Sequence, residues 1–254
     1  LKDLCLQKSF IEAYSKLLED INKESLSFFG KKQEDISQHC LLIGGLDYNF
    51  DTQGLPTQIK NVIFELTPGQ KLKPIYTKRL LPNYDIYDER KYFTPGKELK
   101  VLSFHNKNIL LLICEDMWPS HFYNIDPIQE AAEYIQKENI SLDLIVNLSA
   151  SPFHLKKLDK RIIRAKEISK KLKAPLAYCN RVGGEDEILF DGGSFITNFK
   201  EVLCQGKVFK NDCLVYELKD GQDHDDSFNK NQSEPLQEKT EKVNNKKYLI
   251  IKIL

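Results

Sequence analysis

Apolar residues recur at mixed spacings of three and four near the start of the chain. Leu4, Phe10, Ile11, Tyr14, Leu17, Leu18 and Ile21 thereby line one face of an amphipathic helix over residues 4–29. Residues 31–39 are polar, and His39 to Gly45 then reads as a short buried strand. Asn61 to Leu66 is a second strand. A turn at Pro68-Gly69 leads to a hairpin partner, Leu72 to Tyr76, that runs into Lys78. The stretch from Leu80 to Pro95 mixes Tyr, Asp, Glu and Pro without helical period, which predicts a long loop of the kind that often carries function.

Val101–His105 and Asn108–Ile113 predict a hairpin across Asn106-Lys107, its second strand ending at Cys114. Residues 126–138 are helical in pattern. Leu142 to Leu148 is an apolar strand ending at Ser149-Ala-Ser-Pro152, and residues 156–173 form a strongly basic helix stopped before Pro175. Leu176–Asn180 is another strand, Val182–Glu187 a turn, and Gly193–Phe199 with Glu201–Leu218 the last strands. Strands and helices interleave throughout, so the pattern predicts an α/β domain over residues 1–218. Residues 219–247 are dense in Lys, Asp, Glu, Asn and Gln, too polar for a core and expected to be a linker. Residues 248–254 turn apolar again as a terminal stub.

Composition narrows the function classes. Lys plus Arg and Asp plus Glu number 37 each in 254 residues, so the net charge is zero and no nucleic-acid partner is expected. No apolar run reaches the ~18 residues of a membrane span. Six cysteines at irregular spacings include no C-x-x-C pair, which supports neither a zinc site nor a disulfide framework and fits reduced thiols in the cytoplasm. The first residue is Leu and no signal-peptide layout follows, so the chain is expected to begin inside a longer parent.

Two residues have settings suited to chemistry. Cys114 follows the apolar run Ile109–Ile113 and precedes Glu115-Asp116. A residue at a strand's end projects where α/β sheets bind ligands, and a thiolate there would be a nucleophile. Read alone, a cysteine in this setting is more commonly a buried structural thiol. Lys78 closes one strand and opens the long loop; beside a thiolate it would stabilise an oxyanion, and otherwise it is a surface lysine. Val182-Gly-Gly lacks the G-x-G-x-x-G spacing of a dinucleotide cradle, and Gly183, Gly184, Gly192 and Gly193 read as turn glycines.

Four stretches together carry a family resemblance. Lys78-Arg-Leu-Leu-Pro-Asn-Tyr-Asp-Ile-Tyr-Asp-Glu89, continuing to Gly96, resembles the lysine motif of the nitrilase superfamily, and more narrowly that of the glutaminase domain of glutamine-dependent NAD synthetases. Cys114-Glu-Asp-Met-Trp118 is similar to that family's cysteine motif, Asn147-Leu-Ser-Ala-Ser-Pro152 to its substrate loop, and Val182 to Ser194 to the stretch near the domain's end. The motifs fall in the family's order across residues 78–194, and with weaker flanks the resemblance covers about residues 1–218.

The resemblance implies a four-layer α-β-β-α sandwich and a Glu-Lys-Cys triad. Cys114 and Lys78 match two members. The glutamate that serves as general base lies in the family on a first strand, just ahead of residue 1, and Glu12, Glu19 and Glu24 do not replace it. The fold is therefore expected to be N-terminally truncated, with an exposed sheet edge, and the chain weakly active or inactive alone. Tyr84, Tyr87 and Glu89 would hold glutamine, with Glu89 reading its amino group. Ser151 would touch the substrate, Lys157 would face its carboxylate, and Glu115 would anchor the loop and lend its backbone N–H to the oxyanion. No cofactor is implied in this domain. ATP and Mg belong to a C-terminal synthetase domain that receives the ammonia, and a homo-oligomer is expected. Two other readings remain: an amidase acting on another small amide, and a non-catalytic remnant that only binds.

Overall fold

A computed structural model describes residues 2–29, 39–68, 70–216, 218 and 249–251. The expected linker over 219–247 lies outside the described residues. The chain divides into two compact units, Leu1–Glu98 and Leu99–Leu254.

In the first unit a 3-10 turn, Lys2–Leu6, leads into α1 (Lys8–Phe29), the amphipathic helix the spacing predicts. It precedes an antiparallel sheet of β1 (Leu41–Phe50), β2 (Pro56–Leu66) and β3 (Lys73–Thr77), in that order. Both leading strands outrun the sequence expectation. Leu46, Tyr48 and Phe50 alternate with Asp47 and Asn49, the period of a half-buried strand. The reversal to β2 is closed by Asp51, whose Oδ1 accepts the N–H groups of Gln53 and Leu55, both at 2.8 Å. Cys5, Leu46 and Ile59 form a small core with Phe10, Tyr14, Tyr48, Tyr92 and Phe93. The expected loop over 80–95 contains one helical turn, α2 (Glu89–Tyr92).

α1 also closes part of a sheet edge. Asn61, opposite Leu46, turns its carbonyl toward the N–H of Lys78 (2.8 Å), so Leu46 directs its own polar groups away from β2. The Tyr14 hydroxyl takes both, accepting from Leu46 N–H at 2.7 Å and donating to Leu46 O at 3.0 Å. Burial pushes the Tyr14 phenol up to about 12, the bond to Leu46 pulling the other way. The hydroxyl fits because residue 45 is glycine: a Cβ there would lie 2.4 Å from Tyr14 Oη and 3.0 Å from the Phe64 ring.

The second unit is built on six strands in the order β11-β10-β7-β6-β5-β4. β4 (Val101–Phe104) and β5 (Lys107–Ile113) form a hairpin whose turn residues, His105 and Asn106, have φ of 48° and 61°. Positive φ at both central positions is the geometry that matches strand twist, and it sets the turn one residue earlier than the sequence suggests. β5, β6 (Leu144–Ser149) and β7 (Leu176–Asn180) are parallel. They are joined by α3 (Pro127–Glu138) and α4 (Lys157–Leu172). Asp126 caps α3 by accepting from Ile128 N–H (2.9 Å) and Gln129 N–H (3.0 Å), with Pro127 at the first helical position. α4 ends at left-handed Lys173, two residues before Pro175.

Both helices lie against one face of this sheet. Ile128 and Ala131 of α3 and Ala165, Ile168 and Leu172 of α4 share a core with Leu110, Leu112, Ile145, Leu176 and Tyr178. Because β5, β6 and β7 are parallel, their carboxyl ends emerge side by side at Ile113, Ser149 and Asn180. The expected turn at Val182–Glu187 is instead a hairpin of β8 (Val182–Glu185) and β9 (Ile188–Asp191). β10 (Phe195–Thr197) and β11 (Val202–Gln205) extend the sheet antiparallel. The long last strand expected over 201–218 is broken after Gln205, and β12 (Leu214–Tyr216) pairs with β13 (Leu249–Ile251), within the expected apolar stub. Each unit thus contributes helix packed on sheet, the α/β organisation the interleaved pattern implies.

Gly45→Ala should destabilise the first unit by about 1–3 kcal/mol, the usual range for forcing atoms into an occupied space. Gly44→Ala, where a Cβ meets nothing within 4 Å, should have a smaller effect. Urea unfolding of the two variants checks this.

Candidate active site

Cys114 sits where β5 ends, in a short 3-10 turn over Cys114–Met117. Its φ is +43°, left-handed for a residue with a side chain, a conformation that costs about 1–2 kcal/mol and persists only where the surroundings impose it. Asn147 does so: its Oδ1 accepts Cys114 N–H at 3.0 Å and its Nδ2 donates to Cys114 O at 3.3 Å. The side-chain amide of a β6 residue therefore replaces a strand partner for the peptide on both sides of the thiol. Asp116, fully buried, accepts Ile113 N–H at 2.9 Å and fixes the turn from the other side. Glu115 is buried too, and its carboxylate accepts the Tyr123 hydroxyl at 2.9 Å.

Ser151, in the loop after β6, is held on every polar atom. Asn180 Oδ1 accepts its N–H at 2.9 Å. Arg161 Nη2 donates to its carbonyl at 2.9 Å and to its hydroxyl at 3.1 Å, and Arg161 Nε reaches the hydroxyl at 3.3 Å. Arg161 is 0% exposed, and its charge is balanced by Asp191 at 2% exposure, with Nη1 donating to the two carboxylate oxygens at 2.8 and 2.9 Å. Asn180 Nδ2 adds a bond to Gly192 O at 3.0 Å. Sequence reading missed Arg161, Asp191, Asn180 and Asn147. Arg161 is camouflaged in a basic helix whose other cations are mostly solvated. A clearer signal was available at Asp191, an acid flanked by Phe190 and a double glycine, where solvation is an unnatural fate.

Lys157, at the start of α4, lies with Nζ 5.4 Å from the centre of the Trp118 ring. Burial and then the Arg161 charge push its ammonium below the ordinary 10.5, while Cys114 and Glu115 pull it back up. Lys157 thus shares an electrostatic environment with Cys114.

The first unit carries the other candidates. Lys78 closes β3, donating its N–H to Asn61 O and accepting from Gly96 N–H, both at 2.8 Å. A Cβ at residue 96 would lie 2.3 Å from Thr77 O, so glycine is what lets the two backbones meet. Lys78 is 2% exposed, and Nζ stands 2.6 Å from each carboxylate oxygen of Glu89. Glu89 therefore has a protein partner that the sequence reading, which gave it the substrate amino group, did not foresee. The loop between them is self-braced: Tyr87 N–H donates to Tyr84 O at 3.0 Å, Glu89 N–H to Pro82 O at 3.0 Å, and the Tyr84 and Tyr87 rings meet edge to face at 5.9 Å. Among the described residues no group of three His, Cys, Asp or Glu is arranged to hold a metal ion, and no helix is long and apolar enough to cross a membrane.

Two outcomes follow from the second unit. Arg161→Met or Asp191→Leu alone should cost about 3–5 kcal/mol, because each strands a buried charge. The double variant should cost clearly less than the sum, as read from urea unfolding. For Lys157 the sign runs through proton uptake: with its folded pKa below 10.5, the unfolded chain holds a proton that the folded chain lacks in the window beneath that value. Stability from this group therefore rises with pH there, and Lys157→Met should remove that rise from the pH dependence of the unfolding midpoint.

Comparison with known proteins places these features. No family model matches the chain. A glutamine-dependent NAD(+) synthetase of Thermotoga maritima is 33% identical over 221 residues, covering 85% of this chain and 33% of that protein. The Acinetobacter baylyi synthetase is 37% identical over 145 residues, covering 57% of this chain and 25% of its own length. Among solved structures, glutamine-dependent NAD+ synthetase from Acinetobacter baumannii superposes with a TM-score of 0.60 at 27% identity, covering 82% of this chain and 34% of that one. A nitrilase-superfamily amidase from Nesterenkonia AN1 gives 0.59 at 19%, covering 81% and 68%. The chain, which spans about a third of the length of the synthetases it matches, is therefore a relative of the glutamine-dependent NAD synthetases and has the fold of the nitrilase superfamily.

Proposed function

We propose that this chain is a nitrilase-type glutaminase domain, spanning residues 1–218, that hydrolyses the side-chain amide of glutamine to supply ammonia for NAD synthesis. The observation that carries the reading is the strained, doubly held peptide of Cys114 at the end of a buried parallel strand. A structural cysteine has no need of such a backbone; a nucleophile that must be presented at a fixed angle does. The relationship to the synthetases supplies the substrate class.

In this reading a base takes the thiol proton and the Cys114 sulfur bonds to the amide carbon. The carbonyl oxygen becomes an oxyanion, met by the Lys78 ammonium and the backbone N–H of Glu115. Collapse expels the nitrogen, which leaves as ammonia with the proton returned from the base. Water then adds to the thioester, and glutamate departs with the thiol restored. Glu89 holds the Lys78 charge in place and uses its remaining lone pairs for the substrate amino group. Tyr84 and Tyr87 line the pocket, Ser151 borders it, and Lys157 faces the substrate carboxylate. Lysine offers no bidentate fork for that carboxylate, so it acts as a point charge.

The glutaminase chemistry itself uses no cofactor. ATP and Mg belong to the synthetase domain that consumes the ammonia; Gly183 and Gly184 lie in β8 of the β8–β9 hairpin, and Gly192 and Gly193 have positive φ. The assembly is taken to be a cytoplasmic homo-oligomer.

A diazoketone analogue of glutamine tests the reading. It should form an adduct at Cys114, located by peptide mass mapping, with glutamine protecting and short aliphatic amides not. Protection by aliphatic amides alone would point to an amidase of other specificity, and absence of any adduct would reject catalysis. Lys78→Met should slow adduct formation by roughly 10²-fold, the scale of losing one oxyanion donor.

A further inference from the structure

Three cations fall on one face of α4. Lys157, Arg161 and Arg164 stand at i, i+4 and i+7, the spacing that normally carries an apolar stripe. Two of them are matched by acids: Arg161 by Asp191, and Arg164, whose Nη1 donates to Glu167 Oε2 at 2.9 Å. The half-buried Lys157 ammonium stands instead against the Trp118 ring, 5.4 Å from its centre. An aromatic face attracts a cation without cancelling its charge. Cys114 and Glu115 act on this ammonium through space, and Glu115 has its own partner in the Tyr123 hydroxyl at 2.9 Å.

The ring is itself held in place. Trp118 follows the turn that begins at Cys114, and the peptide leading into it is tied at both ends. Its carbonyl, on Met117, accepts from Arg164 Nε at 2.7 Å, and its N–H donates to Glu115 O at 2.7 Å. Trp118 also packs against the apolar core of the second unit. One helix face thus grips the backbone before Trp118 with Arg164 and lays Lys157 against the side chain.

We infer that Trp118, fixed through its peptide by Arg164, holds the Lys157 ammonium with its charge uncancelled and so selects amides that carry a free carboxylate. The inference rests on the glutaminase reading, in which Lys157 faces that carboxylate. Trp118 and Arg164 are positioning residues: both act through Lys157, and neither is assigned a contact with substrate. An acid in place of the indole would pair with Lys157 and compete with the incoming carboxylate; an aliphatic side chain would leave the ammonium unheld.

The test measures binding without turnover. Alkylation of Cys114 by iodoacetamide is followed by peptide mapping in rising concentrations of glutamine or of its α-amide, which lacks the carboxylate. The ratio of the two half-protecting concentrations is the discrimination. Trp118→Leu should lower that ratio by roughly five- to tenfold, and Trp118→Phe, which keeps an aromatic face, should hold it within about twofold. Arg164→Met should lower it in the same direction. A purely structural role weakens both ligands alike and leaves the ratio standing, so an unchanged ratio in Trp118→Leu or Arg164→Met would overturn the proposal. If labelling of the buried Cys179 shows that Trp118→Leu has unfolded, the wild-type chain decides, because Trp118 is its single tryptophan. Glutamine should change the indole emission and the α-amide should not; equal responses to both, or none to glutamine, would reject the role. Failure of glutamine to protect wild-type Cys114 would reject the glutaminase reading as well, whereas protection that ignores residue 118 rejects this inference alone.

Discussion

A single peptide with left-handed φ, that of Cys114, organises the second unit. Such a backbone is unfavourable for any residue with a Cβ, so it exists here only because its neighbours remove the alternatives. Parallel pairing of β5 with β6 puts Asn147 beside the end of β5, and its amide meets both polar groups of the cysteine. That in turn requires a polar side chain in the middle of an apolar layer, where an unmet hydrogen bond costs heavily. The Ser149 hydroxyl meets that requirement by donating to Asn147 Oδ1, and the buried Arg161–Asp191 pair holds Ser151 in the loop beyond.

The first unit handles a buried charge in a comparable way. Lys78 leaves water at the end of β3 and is met by both oxygens of Glu89. The chain between them is tied down by its own backbone bonds and by two tyrosine rings. A segment with no periodicity can therefore be well defined, since its order comes from an ion pair across its ends rather than from a repeating face.

What was legible in the sequence follows from this division. Segments whose order comes from apolar periodicity were readable: α1 from Phe10, Ile11, Tyr14, Leu18 and Ile21; β5 and β6 from their continuous apolar runs; α3 from its helical pattern over residues 126–138. Segments ordered by specific polar partners were not. The second half of β1 carries Asp47 and Asn49 on its outer face, which dilutes its apolar signal. The β8–β9 hairpin holds Gly183 and Gly184, which read as a turn but here lie within a strand. The motifs around Cys114 and Lys78 could be matched because they are local strings. Arg161 and Asp191 stand 30 residues apart, and only the fold reveals that one neutralises the other.

The Lys78–Glu89 staple bears on how such a site can change over time. One carboxylate both balances a buried cation and closes the loop on which Tyr84 and Tyr87 ride. The buried cation and the loop that carries the two tyrosines thus share an anchor. Drift at residue 89 would disturb both at once, whereas residues 84–87, more exposed, can vary while the anchor stays fixed. A lineage that keeps this staple should accordingly vary the interior of the loop, with its two ends inherited unchanged.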